Sequence, residues 1–319
     1  MSDPSPPHNP ESWERSLIRE LALESVRERR RSRRWGIFFK LLIVLYVVVL
    51  MALWFPELWK DSSHKKDHYT ALIEIRGLIS AESEARADYI VSALRDAYKD
   101  EKVKGIILRI NSPGGSPVQS SYIYDEIQRL REQNPELPVY AVVTELCASG
   151  GYYIATAADA IYVNPASIVG SIGVLMNGFG FNEMMEDFGI ERRLLTAGEH
   201  KGMMDPFSPL QSFDQQHIQR LLDQIHQQFI DAVIQGRGDR IDPNDPQLFS
   251  GLIWTGEESI RLGLADGLGS SSHVAREIIE AETIVDFTRK EDIFERLAKQ
   301  LGVAAATTLS QVTHGWQLR

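Results

Sequence analysis

Ser149 lies in a short glycine-rich segment, CASGGYY, that suits a nucleophile. An apolar run ending at Thr144 predicts a strand before it, and the residues YYIATAADA predict a helix after it. A serine at this point sits at a helix N-terminus, where aligned backbone dipoles favour a developing negative charge. Serine is also a common N-cap residue, so the segment alone leaves nucleophile and cap as alternatives. A base near the serine is what would decide for catalysis.

Two kinds of side chain offer that base. Lys201 lies in the turn-like segment TAGEHKGMMDPFSP, whose apolar residues Met203, Met204 and Phe207 would partly desolvate the amine and favour its neutral form. A solvated surface charge is the alternative for a loop lysine. A Ser-His-Asp triad also stays open, although the histidines of the predicted folded region lie in no familiar triad context; they are His200, His217, His226 and His273.

A second glycine-rich turn, Asn111–Gly115, follows a predicted strand directly. Paired glycines leave backbone N–H groups uncovered, and such groups can point at an anion. An ordinary turn between a strand and a helix is the alternative. Because the segment has neither GxGxxG spacing nor a P-loop lysine, it disfavours nucleotide binding.

Strands alternate with helices through the central part of the chain. The runs 69–79, 103–110 and 137–144 predict strands. Helical periodicity covers 81–99, 121–132 and 213–234. This alternation predicts right-handed βαβ units and an α/β fold, in which both glycine-rich turns follow strands.

Composition limits the possible functions. The 319 residues are 43% hydrophobic and 24% charged, which is ordinary for a globular protein and suits one large domain with appendages. A net charge of −10 disfavours nucleic-acid binding. The single cysteine, Cys147, excludes an internal disulfide. Without CxxC pairs or clustered histidines, we expect no metal site.

A membrane anchor is predicted near the N-terminus. Residues 36–55, GIFFKLLIVLYVVVLMALWF, carry one charge, Lys40, and match the length of a bilayer-spanning helix. Six arginines lie between positions 27 and 34. The positive-inside rule therefore places residues 1–35 in the cytoplasm and everything from the linker 56–68 onward across the inner (plasma) membrane. A cleaved signal peptide is the alternative, but no small-residue cleavage site follows the run.

Four motifs occur in a coherent order: SPGG, ASGGYYIA, VGSIGV and AGEHKGMMDPF. With these motifs the chain resembles, from about residue 72 to about residue 268, the bacterial signal peptide peptidase A family, also called protease IV. The resemblance implies a ClpP/crotonase-like spiral of ββα units, which we assign to residues 69–286. The tail, 287–319, has no clear counterpart in the family.

The resemblance also implies roles for single residues. Ser149 would be the nucleophile, Lys201 its general base, and Ser171 the hydroxyl that orients the lysine amine. Three glycines would build the oxyanion hole, namely Gly115 and Gly150 through their N–H groups and Gly114 by shaping the turn. No cofactor or metal would take part.

By the same resemblance, the protein would be a membrane-anchored serine endopeptidase that hydrolyses residual signal peptides or other membrane-derived peptides on the periplasmic or outer side. Short members of the family resemble homo-oligomeric rings in which serine and lysine come from neighbouring subunits. We therefore expect peptides, membrane lipid and further copies of the chain as partners.

Three alternatives remain for the function: a protease for stomatin-like membrane proteins, a crotonase acting on a CoA thioester, and a non-catalytic oligomeric scaffold. The intact serine and lysine positions argue against the scaffold, and a neutral lysine beside a serine has no evident part in crotonase chemistry.

Overall fold

The computed structural model describes residues 35–51 and 68–289. The chain separates into two compact units, 1–65 and 66–319, and in the first of them residues 35–51 form a helix, α1. Within the described ranges, no helix has both the length and the hydropathy needed to cross a bilayer. Four predicted features lie wholly or partly outside those ranges: the N-terminal extension, the end of the predicted span, the linker and the tail.

The second unit is built on one mixed sheet. Its strands are β1 (Tyr69–Arg76), β2 (Val103–Ser112), β3 (Val139–Ala148), β4 (Ala160–Val163), β5 (Ile168–Gly170), β6 (Ile253–Thr255), β7 (Gly267–Leu268) and β8 (Ile284–Asp286). They are ordered β6-β5-β3-β2-β1-β8, with β4 paired to β3 and β7 to β4. Each described pair is parallel except β5 with β6.

Helices connect these strands, which confirms the predicted α/β class. They are α2 (Ala87–Lys99), α3 (Pro117–Gln133), α4 (Gly150–Ala155), α5 (Asn182–Asp187), α6 (Ser212–Arg237), α7 (Gly256–Arg261) and α8 (Ser271–His273), the last continued by a π-helical turn, Val274–Ile278. The predicted start of α2 at residue 81 is wrong, because hydrogen bonds between Ser80 and Ser83 close a turn there. In contrast, α3 begins earlier than predicted, since Ser116 caps it and Pro117 suits its first turn.

The core lies on both faces of the sheet. Alternate residues of β2 point to opposite sides. Ile106 and Leu108 belong to the larger core cluster, which includes residues of α2 and α6, whereas Ile107 belongs to a smaller cluster with Val274 after α8. Because both faces are covered, the central strands read as continuous apolar runs in the sequence.

The predicted end of β3 at Thr144 is wrong, and the difference matters for the site. Thr144 and Glu145 are exposed, and these polar residues interrupt the apolar run that marks the strand. After its last pairing with β4 at Val142, β3 continues and pairs with β5 from Leu146 to Ala148. Ser149 therefore follows the strand directly.

Candidate active site

Ser149 occupies a sharp turn between the end of β3 and the start of α4. Its backbone has φ 51° and ψ −122°. Non-glycine residues rarely adopt such a conformation, which costs about 1–3 kcal/mol. Its N–H donates to the Gly170 carbonyl oxygen at 2.9 Å, which holds the turn against β5. Its hydroxyl does not cap α4, so the capping alternative fails and the side chain is presented as a nucleophile would be at a strand-to-helix turn.

Ser171 lies beside Ser149 because of the strand register. Ala148 of β3 pairs with Gly170 of the parallel strand β5, so the two serines leave the sheet as neighbours. Ser171 also has a positive φ, 53°, and its N–H donates to the Leu252 carbonyl oxygen at 2.7 Å. Both serines line one cavity of about 510 Å³. The fold thus brings together Ser149 and Ser171, two of the site residues predicted from the sequence.

Gly114 packs against the turn that carries Ser149. Its own N–H donates to the Ser112 hydroxyl at 3.1 Å, so it is not available to a ligand. Its φ is 95°, and a Cβ at this position would lie 2.6 Å from the Gly150 nitrogen and 2.7 Å from the Ser149 Cβ. Any side chain here would push the nucleophile turn out of place.

The N–H groups of Gly115 and Gly150 are two hydrogen-bond donors at the cavity. Both residues line it, and in the described part of the chain neither N–H donates to another protein atom. The Gly115 nitrogen lies 3.3 Å from the point where a Cβ on Gly150 would sit, so the two groups flank the same space beside Ser149. A pair of this kind can stabilise the oxyanion of a tetrahedral intermediate.

Apolar side chains line much of the remaining cavity. Tyr153 of α4 and Phe229 of α6 lie with their ring centroids 5.0 Å apart, and Tyr124 meets Tyr153 edge-on at 5.2 Å. Burial raises the pKa of the Tyr153 phenol, which keeps it neutral. Val174 and Ile225 also line this space. The cavity can therefore receive an apolar side chain next to the serine.

Lys201 does not line the Ser149 cavity. It lies in an exposed turn, where its N–H donates to the Gly198 carbonyl oxygen at 3.1 Å. Its apolar neighbours Met204 and Phe207 are 41% and 42% exposed. Within a single chain, these neighbours do not cover the amine as the sequence suggested.

The histidines do not complete a triad within the described chain, since none of them lines the Ser149 cavity. His200, which precedes Lys201, stacks on Phe213 at 4.2 Å between ring centroids, in a different cavity. His226 is the unexpected case, because its Nε2 lies 3.2 Å from the carbonyl oxygen of Ile172, the residue after Ser171. Sequence spacing gave no signal for this contact, which depends on how α6 packs.

Cys147, two residues before the nucleophile, is fully buried. Burial raises the pKa of its thiol, so the reactive thiolate is disfavoured. In the described ranges no group of three or more histidine, cysteine or acidic side chains is placed to bind a metal ion. The chemistry that the geometry supports is hydroxyl attack on a carbonyl carbon, with backbone donors for the oxyanion.

Comparison with known proteins identifies relatives of this chain. A family model described as Peptidase family S49 matches residues 131–285, which include both serines and Lys201. A Synechocystis protein, "Putative protease slr0021", is 31% identical over 66% of this chain and 73% of its own length. The chain belongs to peptidase family S49. A second family model, Clp protease, matches residues 60–169 and supports the ClpP-like character of this S49 fold.

Two further relatives are longer than this S49 chain. Protease 4 of Haemophilus influenzae is 31% identical over 69% of the chain and 36% of its own length, and its name agrees with the family predicted from the motifs. The Na(+)/H(+) antiporter NhaA of Brucella melitensis is 46% identical over 55% of the chain. The match spans 24% of the antiporter, so most of that protein lies outside the similarity to the S49 chain.

Proposed function

We propose that this protein is a serine endopeptidase with Ser149 as its nucleophile. The observation that carries the proposal is the placement of Ser149 in a strained turn, next to the uncommitted N–H groups of Gly115 and Gly150 in one cavity. A hydroxyl, two oxyanion donors and room for a side chain are, apart from a base, what acyl transfer from a peptide bond requires.

The reaction begins when the Ser149 Oγ attacks the peptide carbonyl carbon and its proton passes to the neutral amine of Lys201. The N–H groups of Gly115 and Gly150 stabilise the negative carbonyl oxygen. Collapse of the intermediate breaks the C–N bond, and the leaving amine takes the proton from the lysine. Water then hydrolyses the acyl-serine with the lysine again as base. Ser171 accepts or donates a hydrogen bond to hold the amine in place.

A second copy of the chain supplies the lysine in this proposal. Lys201 does not line the Ser149 cavity of its own chain. The segment that carries it also presents large apolar side chains to solvent, including Leu175, Phe179, Phe188 and Leu195. Exposed apolar clusters of this kind mark contact surfaces between proteins. Burying them between copies would cover the lysine as well as the apolar residues and close the active site in a homo-oligomeric ring.

The substrates we propose are residual signal peptides or other membrane-derived peptides. The apolar cavity wall around Tyr153 and Phe229 supports apolar side chains at the cleaved bond. The apolar run 36–55 would anchor the protein in the inner membrane, with residues after the linker on the outer side. External protease applied to intact spheroplasts should then digest the catalytic domain, and protection until lysis would contradict this orientation.

The nucleophile can be tested directly. The purified full-length protein should cleave quenched apolar peptides and react with a fluorophosphonate on Ser149, as located by peptide mass spectrometry. Ser149→Ala should lose both properties while remaining folded. Ser272→Ala is the matched control, since Ser272 is exposed on α8 and does not line this cavity, and it should keep both. Label on another residue, or turnover by Ser149→Ala, would refute the assignment.

A further inference from the structure

Helix α6 forms one wall of the Ser149 cavity. Ile225, Gln228 and Phe229 of this helix line the cavity directly. His226, between them in sequence, is half-buried and reaches the backbone instead, with Nε2 3.2 Å from the Ile172 carbonyl oxygen. The helix therefore touches the segment that carries Ser171.

The direction of this hydrogen bond follows from the acceptor. A carbonyl oxygen only accepts, so the His226 Nε2 must carry the proton and donate it. His226 is therefore the donor of this hydrogen bond and Ile172 the acceptor.

Two hydrogen bonds fix the backbone around Ser171. On one side, the Ser171 N–H donates to Leu252 at 2.7 Å, and on the other, the Ile172 carbonyl accepts from His226. The first sets the peptide plane before Ser171, and the second sets the plane after Ile172. Because Ser171 has φ 53°, its backbone needs such external restraint to stay in this conformation.

We propose that His226 is a positioning residue for the active site. By holding the Ile172 carbonyl, it keeps the Ser171 backbone in its left-handed conformation and directs the Ser171 hydroxyl into the cavity, where it orients the lysine amine. His226 itself touches neither substrate nor the reacting atoms. The inference rests on the proposed peptidase function and assigns a new residue to it.

The test compares His226→Leu with His226→Gln in the full-length protein. Leucine removes the donor, whereas the glutamine side-chain amide can restore an N–H near the position of Nε2. His226→Leu should lower kcat/KM by about tenfold or more, mainly through kcat, because a base held at the wrong angle slows the chemical step. KM should stay close to the wild-type value, because the lining of the cavity is unchanged. His226→Gln should recover most of the lost kcat.

A second measurement does not depend on activity. Hydrogen exchange of peptides covering residues 168–175 should accelerate in His226→Leu and return toward the wild-type rate in His226→Gln. The matched control is His273→Leu, because His273 lies on α8 and lines a separate groove on the sheet. This variant should change neither readout.

Three results would contradict the positioning role of His226. Unchanged exchange in His226→Leu would overturn the contact, and faster exchange with an unaltered kcat would reduce His226 to a structural role and overturn the positioning. Failure of the glutamine variant to rescue would do the same. If the wild type shows no Ser149-dependent hydrolysis, the proposed function fails and the positioning role with it, a result distinguishable from a loss confined to the His226 variants.

Discussion

Gly114 shows how one missing Cβ can decide whether the nucleophile turn forms. Its positive φ and its approach to Ser149 and Gly150 leave no room for a methyl group. We expect Gly114→Ala to lower kcat/KM by about 100-fold, because the serine and the Gly150 donor would both move. Steady-state kinetics would measure this loss, and circular dichroism would verify folding.

The control for this substitution is Gly267→Ala. A Cβ at Gly267 would make only ordinary contact, 3.5 Å from Tyr162, and Gly267 is not among the residues that line the cavity. Activity close to wild type is expected for it. If Gly114→Ala matched this control, the turn would be more adaptable than the close contacts imply, and the oxyanion assignment would lose its geometric basis.

Cys147 and Ser149 differ in whether a substrate can reach the side chain, as well as in their chemistry. The thiol is buried in the core, and the hydroxyl lines a cavity. Cys147→Ala should therefore retain peptidase activity in the fraction that folds, as counted by fluorophosphonate labelling. Alanine is preferable to serine here, because a serine hydroxyl buried without a partner costs about 1–3 kcal/mol. Loss of activity per labelled site would point to the thiol.

At the scale of elements, a buried ion pair ties the end of α6 to the segment before β7. Arg237 is 1% exposed and donates to both carboxylate oxygens of Asp266, at 2.8 Å and 2.9 Å. Burial by itself raises the pKa of Asp266, but the hydrogen bonds and charge of Arg237 outweigh it, so the net direction is downward. The carboxylate is thus kept charged to match the buried guanidinium.

Asp266→Asn should lower the free energy of unfolding by about 3–5 kcal/mol, because it leaves the Arg237 charge buried without a counter-ion. Denaturant unfolding followed by fluorescence would measure the change. Asp239→Asn, at an exposed position in the 3-10 turn after α6, should alter it little. Equal effects of the two variants would show that the ion pair between Arg237 and Asp266 does not stabilise the packing of α6.

A second ion cluster joins α2 to α3 and should make stability depend on pH. Glu126 accepts from Arg129 at 2.6 Å and from Arg95 at 2.7 Å. The bonds from Arg129 and Arg95 outweigh burial and lower the pKa of Glu126 from 4.5 to about 2. Since the folded-state pKa is depressed, the contribution is complete above about pH 4.5 and is lost as the pH falls toward 2.

Glu126→Gln should therefore destabilise the protein by about 2 kcal/mol at pH 7, and the difference from wild type should shrink between pH 4.5 and 2. Urea unfolding of both proteins at several pH values would measure it. A difference that stays constant across this range would assign the effect to packing of the side chain and not to its charge.

The sequence predicted elements better than it predicted contacts. The alternating strands and helices and the two glycine turns follow from local patterns. The adjacency of Ser149 with Ser171 depends on the register of β3 and β5, and the sequence indicated a shared role only through the family resemblance. In contrast, the continuation of β3 past Glu145 depends on pairing with β5, and the His226 contact depends on how α6 packs. Such features depend on contacts with distant parts of the chain, so local periodicity cannot predict them.

At the scale of the whole molecule, the position of Lys201 and the exposed apolar surface around it both concern how copies of the chain assemble. Lys201 lies away from the Ser149 cavity of its own chain, in a segment where Phe179 is 81% and Leu195 96% exposed. A lone soluble protein rarely leaves such residues clustered on its surface. A repeating contact between identical chains would bury the apolar cluster and bring each lysine to a neighbour's serine.

Mixing two inactive variants separates this arrangement from a dyad within one chain. Ser149→Ala and Lys201→Ala should each be inactive alone. If the two are co-expressed in equal amounts and the dyad spans neighbours, roughly a quarter of the sites in random rings would pair an intact serine with an intact lysine. Peptide hydrolysis should then return to about that fraction of the wild-type rate.

The control is the same pair of variants, purified separately and combined just before the assay, so that subunits have no time to exchange. This mixture should stay inactive if the rings are stable, and activity should appear only as subunits exchange. Mixed rings verified by two affinity tags but lacking activity would show that serine and lysine must come from one chain. The 196–209 segment would then have to move to bring Lys201 to its own Ser149, because the lysine does not line that cavity in the present arrangement.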